Sequence, residues 1–175
     1  VSYTLQGPGS VGGVGGLTKV GSGSATVNFT ANNFSGPTIV SNGSLTIAGG
    51  GAIGDSSAVS LADVAGANLT FSASETIGSL AGGGASGGNV SLSGTLTAGG
   101  NNSSTTYAGA ISGSGGLTKV GSGTLSLSGA NSAGDVSVQN GALGVTGNGS
   151  LTSPRMFIAA SSGTAGTLNI AGNGA

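Results

Sequence analysis

Gly115-Gly116-Leu117-Thr118-Lys119-Val120-Gly121-Ser122-Gly123 repeats, residue for residue, the stretch Gly15-Gly16-Leu17-Thr18-Lys19-Val20-Gly21-Ser22-Gly23. A nonapeptide that returns after 100 positions makes the structure periodic, with one local packing problem solved more than once. Around it the pattern is plain. Short apolar alternations such as Ser44-Leu45-Thr46-Ile47, Asn68-Leu69-Thr70-Phe71, Thr124-Leu125-Ser126-Leu127 and Thr167-Leu168-Asn169-Ile170 put aliphatic side chains to one side and hydroxyls or amides to the other. Glycine or Asn-Gly turns separate them, among them Asn42-Gly43, Gly49-Gly50-Gly51, Gly82-Gly83-Gly84, Asn140-Gly141 and Asn148-Gly149.

The chain has 175 residues, 40 of them Gly, and a net charge of -1. Helix is excluded in practice, since each interior Gly costs about 1 kcal/mol relative to Ala. A flexible Gly/Ser linker is also a poor reading. The aliphatic content is high enough for a core, and the high net charge typical of disordered chains is missing.

Many short strands with regular turns suit a sandwich, a barrel or a parallel β-helix. The repeat favours the last, because stacked coils meet similar environments. The fold class is therefore all-β, a parallel β-helix of about seven or eight coils of roughly 20–25 residues, about 35–40 Å long at the usual strand spacing. The chain reads as one β-helical region over 1–175, with repeat units at about 15–47 and 115–145 and a non-motif stretch between them. With two residues dropped the repeat extends further, so that Thr38–Ile47 aligns with Val136–Val145. The inward positions are then Val40, Leu45 and Ile47 in one copy and Val138, Leu143 and Val145 in the other. Segments 76–80, 105–111 and 155–159 each read as a single strand.

Gly115 to Asn131, GGLTKVGSGTLSLSGAN, closely resembles the passenger-associated transport repeat of bacterial autotransporters. That motif runs on through an aromatic-Ser-Gly, a short strand, an Asn-Gly turn and a closing strand. The first copy keeps this as Phe34-Ser35-Gly36 through Asn42-Gly43-Ser44-Leu45; the second has Ser132-Ala133-Gly134 where the aromatic would stand. The resemblance implies a right-handed parallel β-helix, a stretch of a longer rod on a bacterial surface. It implies scaffold, and no ligand.

The chemistry-bearing residues are few: Asp55, Asp63, Glu75, Asp135, Lys19, Lys119 and Arg155, with no Cys and no His. Disulfides and thiolate or imidazole metal sites are excluded, and neither catalytic residues nor a cofactor is expected. Asp55 and Glu75 stand one coil apart, the one arrangement in which two carboxylates would stack at a retaining glycosidase's separation. The better reading has Asp55 in a turn and Glu75 solvated. The Gly82–Gly88 tract lacks a Walker lysine and reads as a loop. Lys19 and Lys119 are expected to point outward and discourage sideways strand pairing. Three basic residues do not make a nucleic-acid surface. No apolar run approaches the length of a membrane span, and no signal peptide is visible.

Asn-x-Ser/Thr occurs at Asn28, Asn33, Asn42, Asn68, Asn89, Asn101, Asn102 and Asn148, eight of thirteen asparagines and more than chance supplies. These are candidate glycan acceptors, with ordinary turn chemistry as the alternative. Function is expected to be structural and adhesive, at the cell surface or outside the cell. Partners would be host or neighbour-cell glycans or proteins, or the chain itself. The alternatives are a filament subunit built by end-to-end stacking and a polysaccharide-active enzyme.

Overall fold

The computed structural model describes residues 1–158 and 165–172. All described regular structure is strand, and all strand pairs are parallel. Three sheets run along the molecule. The first has eight strands: Ser2–Gln6, Ser24–Asn28, Ser44–Ile47, Asn68–Phe71, Asn89–Leu92, Ile111–Gly113, Ala130–Ser132 and Ser150–Thr152. The second also has eight: Leu17–Lys19, Thr38–Val40, Ala58–Leu61, Ser79–Gly82, Thr105–Tyr107, Thr124–Leu127, Gly141–Gly147 and Gly166–Gly172. The third has five: Glu75–Ile77, Leu96–Ala98, Leu117–Lys119, Val136–Val138 and Met156–Ile158. Gly12–Gly13 and Asn33–Phe34 form a separate two-stranded ladder.

The molecule is a β-solenoid of about eight turns. Ser2 pairs with Ser24, Ser24 with Ser44, Ser44 with Asn68 and Asn68 with Asn89, steps of 20 to 24 residues; elsewhere the step is as short as 18, from Thr124 to Ala142, and as long as 25, from Gly141 to Gly166. Seven steps at about 4.8 Å make the eight-stranded sheets about 34 Å long.

The period-two alternation explains the core. Leu45, Leu69, Val90 and Ile111 stand in register and are buried. Ile47, Phe71 and Leu92 form the next inward column. Val40, Leu45, Ile47, Val138, Leu143 and Val145 all face inward as the alternation requires. Truncating one such side chain, Leu69→Ala for instance, removes packing on two neighbouring turns and costs about 2–5 kcal/mol.

The chain corners sharply between sheets. Gly43 and Gly141, each following an Asn, have φ of +70° and +66°, a region closed to most side chains. A Cβ there would also strike the backbone carbonyls of the preceding turn, at Gly21 and Gly23 or at Gly121 and Gly123.

Three readings of the sequence change. Segment 105–111 divides into Thr105–Tyr107 and Ile111–Gly113, on different sheets. The cause is a corner at Ala108–Ala110, held by the buried Tyr107 hydroxyl, which donates to the carbonyl of Gly88 at 2.5 Å. Segment 76–80 likewise divides around Gly78. Strand 155–159 is found as Met156–Ile158, and residue 159 lies outside the described residues.

The two identical nonapeptides also occupy different faces. Leu17–Lys19 belongs to the second sheet and Leu117–Lys119 to the third. The repeat therefore does not return to the same place on the coil, contrary to the expectation of equivalent stacking.

Candidate functional surface

Sheet geometry sends alternate residues outward, and here these are mostly hydroxyls. On the first sheet Thr4, Thr26, Thr46, Thr70, Ser91 and Ser112 follow one another in register. Ser132 and Thr152, one residue beyond the registered Asn131 and Leu151, continue the column. A second outward column reads Ser2, Ser24, Ser44, Asn68 and Asn89. The third sheet adds Thr76, Thr97, Thr118 and Ser137. Each hydroxyl both donates and accepts, so these ladders present many shallow polar contacts at the strand spacing.

The charged residues behave otherwise than the sequence suggested. Lys19 and Lys119 were expected on the outside; both are buried. Lys19 Nζ donates to the carbonyls of Val20, Gly21 and Asn42 at 2.9, 2.6 and 3.0 Å. Lys119 Nζ donates to Val120, Gly121 and Asn140 at 2.5, 2.9 and 3.4 Å. Three carbonyls match the three N–H donors of an ammonium. Each lysine thus ties its own corner to the Asn-Gly corner of the next turn. Burial pulls the Lys119 ammonium below its ordinary pKa.

Glu75, expected to be solvated, is 3% exposed. Its carboxylate accepts hydrogen bonds from the amides of Gly51, at 3.2 Å, and Ala52, at 2.9 Å. Burial raises its pKa to about 7, against the opposing pull of those amides. Its partners lie in the segment joining Ile47 to Ala58, where the third face has no strand. Asn32, also buried, acts alike: its Oδ1 accepts from Val11 N and its Nδ2 donates to Ala52 O. Side chains therefore replace the backbone ladder where the third face is interrupted.

Asp55 and Glu75 do border one open cleft, with Thr76, Thr95 and Thr97. They are not equivalent, since Asp55 is exposed while the Glu75 carboxylate is held by backbone amides. Of the Gly82–Gly88 tract, Gly82 ends the strand Ser79–Gly82 and residues 83–88 form a loop whose anion is internal: Asp63 Oδ1 accepts from Ser86 N at 2.7 Å and Gly87 N at 3.0 Å. Asp135 and Arg155 form an exposed bidentate pair, at 2.9 and 2.6 Å. Among the described residues no group of three or more His, Cys, Asp or Glu is placed to hold a metal ion.

The Asn-x-Ser/Thr asparagines divide into two groups. Asn28, Asn33, Asn89, Asn102 and Asn148 are exposed. Asn42, Asn68 and Asn101 are half-buried, Asn42 bonded to Gly43 N, Asn68 to Gly66 O and Asn101 to Ser103 N and, one turn away, to Ser79 Oγ; of the exposed group, Asn89 accepts from Ala110 N and Asn102 from Ser122 N. Sequence reasoning missed the structural roles of Tyr107, Asn32 and Asn131. Asn131 stands in the apolar column between Ile111 and Leu151 and bonds Ile111 N, Gly129 O and Ser150 O.

A stacked parallel coil with aliphatic columns inside and hydroxyl ladders outside places the chain in the class of parallel β-solenoids. The family model described as Passenger-associated-transport-repeat matches residues 17–47 and 117–145, about a third of the chain. It is also similar to "Adhesin BmaC autotransporter" of Brucella suis biovar 1 (strain 1330), with 40% identity over 145 residues. That alignment covers 80% of this chain and 4% of the relative, so the chain spans a small part of its length. Together these findings indicate a cell-surface or extracellular location. No solved structure matches the chain. No helix is long and apolar enough to cross a membrane among the described residues.

Proposed function

We propose that this chain is a stretch of an adhesive, non-enzymatic passenger rod that holds a polar contact surface away from the cell. The similarity over 80% of the chain to a protein described as an adhesin carries the reading. The outward hydroxyl columns support it, because they offer repeated weak contacts along a stiff stack. The state of the Glu75 carboxylate supports the non-enzymatic part, since two backbone amides already engage it. Partners are surface glycans or proteins of a host or neighbouring cell. The exposed Asn28, Asn33, Asn89, Asn102 and Asn148 are the better placed of the glycan acceptors.

The test is to display the chain on a non-adherent bacterium and count cells retained on host-cell layers. Retention well above an undisplayed control is expected, and retention equal to the control rejects the adhesive reading. Intact mass of the surface-released chain reports any glycans.

A further inference from the structure

Just ahead of the third sheet the chain turns the same corner on five successive turns. One residue before the registered column Glu75, Leu96, Leu117, Val136 and Met156 stand Ser74, Thr95, Gly116, Asp135 and Arg155. One residue earlier again come Gly94, Gly115 and Gly134. A Cβ at any of these three would run into backbone of the preceding turn, at Ala73, Gly94 or Ser114. The middle of the corner therefore carries no side chain at Gly94, Gly115 and Gly134, and a groove of about 490 Å³ runs there along the rod. Four steps between five turns make it about 19 Å long.

The groove is a polar trough. Ser74, Ser93 and Ser114 are exposed along it, Thr95 is half-buried, and its far end carries the Asp135–Arg155 pair. Arg155 also lies over the ring of Phe157, 6.0 Å from its centroid, and Phe157 is 47% exposed. Hydroxyls along the groove, a carboxylate and guanidinium fixed side by side at its end, and just beyond it the half-exposed Phe157 ring are together groups that recognise a sugar.

We propose that this groove binds an extended, neutral, β-linked oligosaccharide, its end seated at Asp135, Arg155 and Phe157. This rests on the adhesive reading and names the ligand class for it. Neutrality follows from the charges, since the one acid and one base in the groove are paired with each other. A straight glycan fits a trough whose polar groups recur at the strand spacing. A peptide is disfavoured because extended peptides add to sheet edges, and the inner strands flanking this corner are paired on both sides.

The probes are hexasaccharides of β-linked glucose and of β-linked N-acetylglucosamine, titrated calorimetrically against the chain. One or both should bind. Ser114→Trp, which fills the trough from an exposed position, should weaken binding at least tenfold, and Phe157→Ala and Arg155→Ala should do likewise. Thr106→Trp, on the second sheet, should leave it unchanged. Circular dichroism and the thermal midpoint confirm that each variant is folded.

Absence of binding to both probes overturns the proposal, as does binding that Ser114→Trp leaves intact. Capture of an extended polar peptide that Ser114→Trp abolishes, without either sugar, overturns it in favour of a peptide groove. Displayed cells that still adhere while neither sugar binds sink the groove and spare the adhesive reading. Loss of adhesion altogether sinks that reading too.

Discussion

At 17–28 the chain passes from the second sheet to the first; at 117–127 the same opening sequence passes from the third sheet to the second. Different faces, but the same corner: Lys19 and Lys119 each cap the carbonyls of the two residues that follow, and each reaches the Asn-Gly turn one coil later. The unit being repeated is thus a corner with its two flanking strands, and not a position on the coil. Any face will accept it provided the next coil brings an Asn-Gly to the same corner. The surroundings differ as well. Beside the first copy the third face is interrupted and is bridged by Asn32 and Glu75; beside the second it is a continuous ladder.

The sharpest way to break the equivalence is at the corner glycines. Gly43→Val and Gly141→Val each force a branched side chain into positive φ and into a carbonyl. Each should lower stability by about 4 kcal/mol, read by urea denaturation. Equal losses support a shared corner; a loss at one site alone would falsify it. Lys119→Met should cost about 2–3 kcal/mol by stripping three carbonyls of their donor. Lys19→Met should cost less, because Lys19 is 8% exposed against 1% for Lys119.

The interrupted face should carry its own pH signature. The Glu75 carboxyl sits at about 7 when folded against an ordinary 4.5. Between those values the folded chain holds a proton that the unfolded chain lacks, so stability falls as pH rises through the window and levels off above it. Denaturation at pH 5 and pH 8 should show that fall, and Glu75→Gln should remove it. The smallest effect is expected on the exposed ion pair: Asp135→Asn should leave the thermal midpoint within error of the parent.

Much of this was legible from alternation alone. Leu45, Ile47, Leu143 and Val145 fell inward because hydroxyls or other small residues stand between them, and the Asn-Gly corners were marked by residue type. The short strands Gly12–Gly13, Asn33–Phe34 and Ala130–Ser132 were not readable, because their own residues carry no apolar pattern and the neighbouring coil supplies the pairing. The charged residues were misplaced for a different reason. In Leu117-Thr118-Lys119 and in Glu75-Thr76-Ile77 the ionisable residue shares the phase of the aliphatic one two positions away. Phase placed both inside, and charge, which argued for the surface, was outweighed because corner carbonyls and amides were there to meet it. Asn131, in phase with the column it interrupts, follows the same rule.

The ladder bonds point along the long axis, from each turn to the next. Tension applied to the two ends of the rod therefore pulls those bonds open one row at a time, and does not slide all of them together. Each turn that lets go releases its 18 to 25 residues, about 60–90 Å of extended chain. Under load such a rod lengthens turn by turn and spares the turns that remain wound.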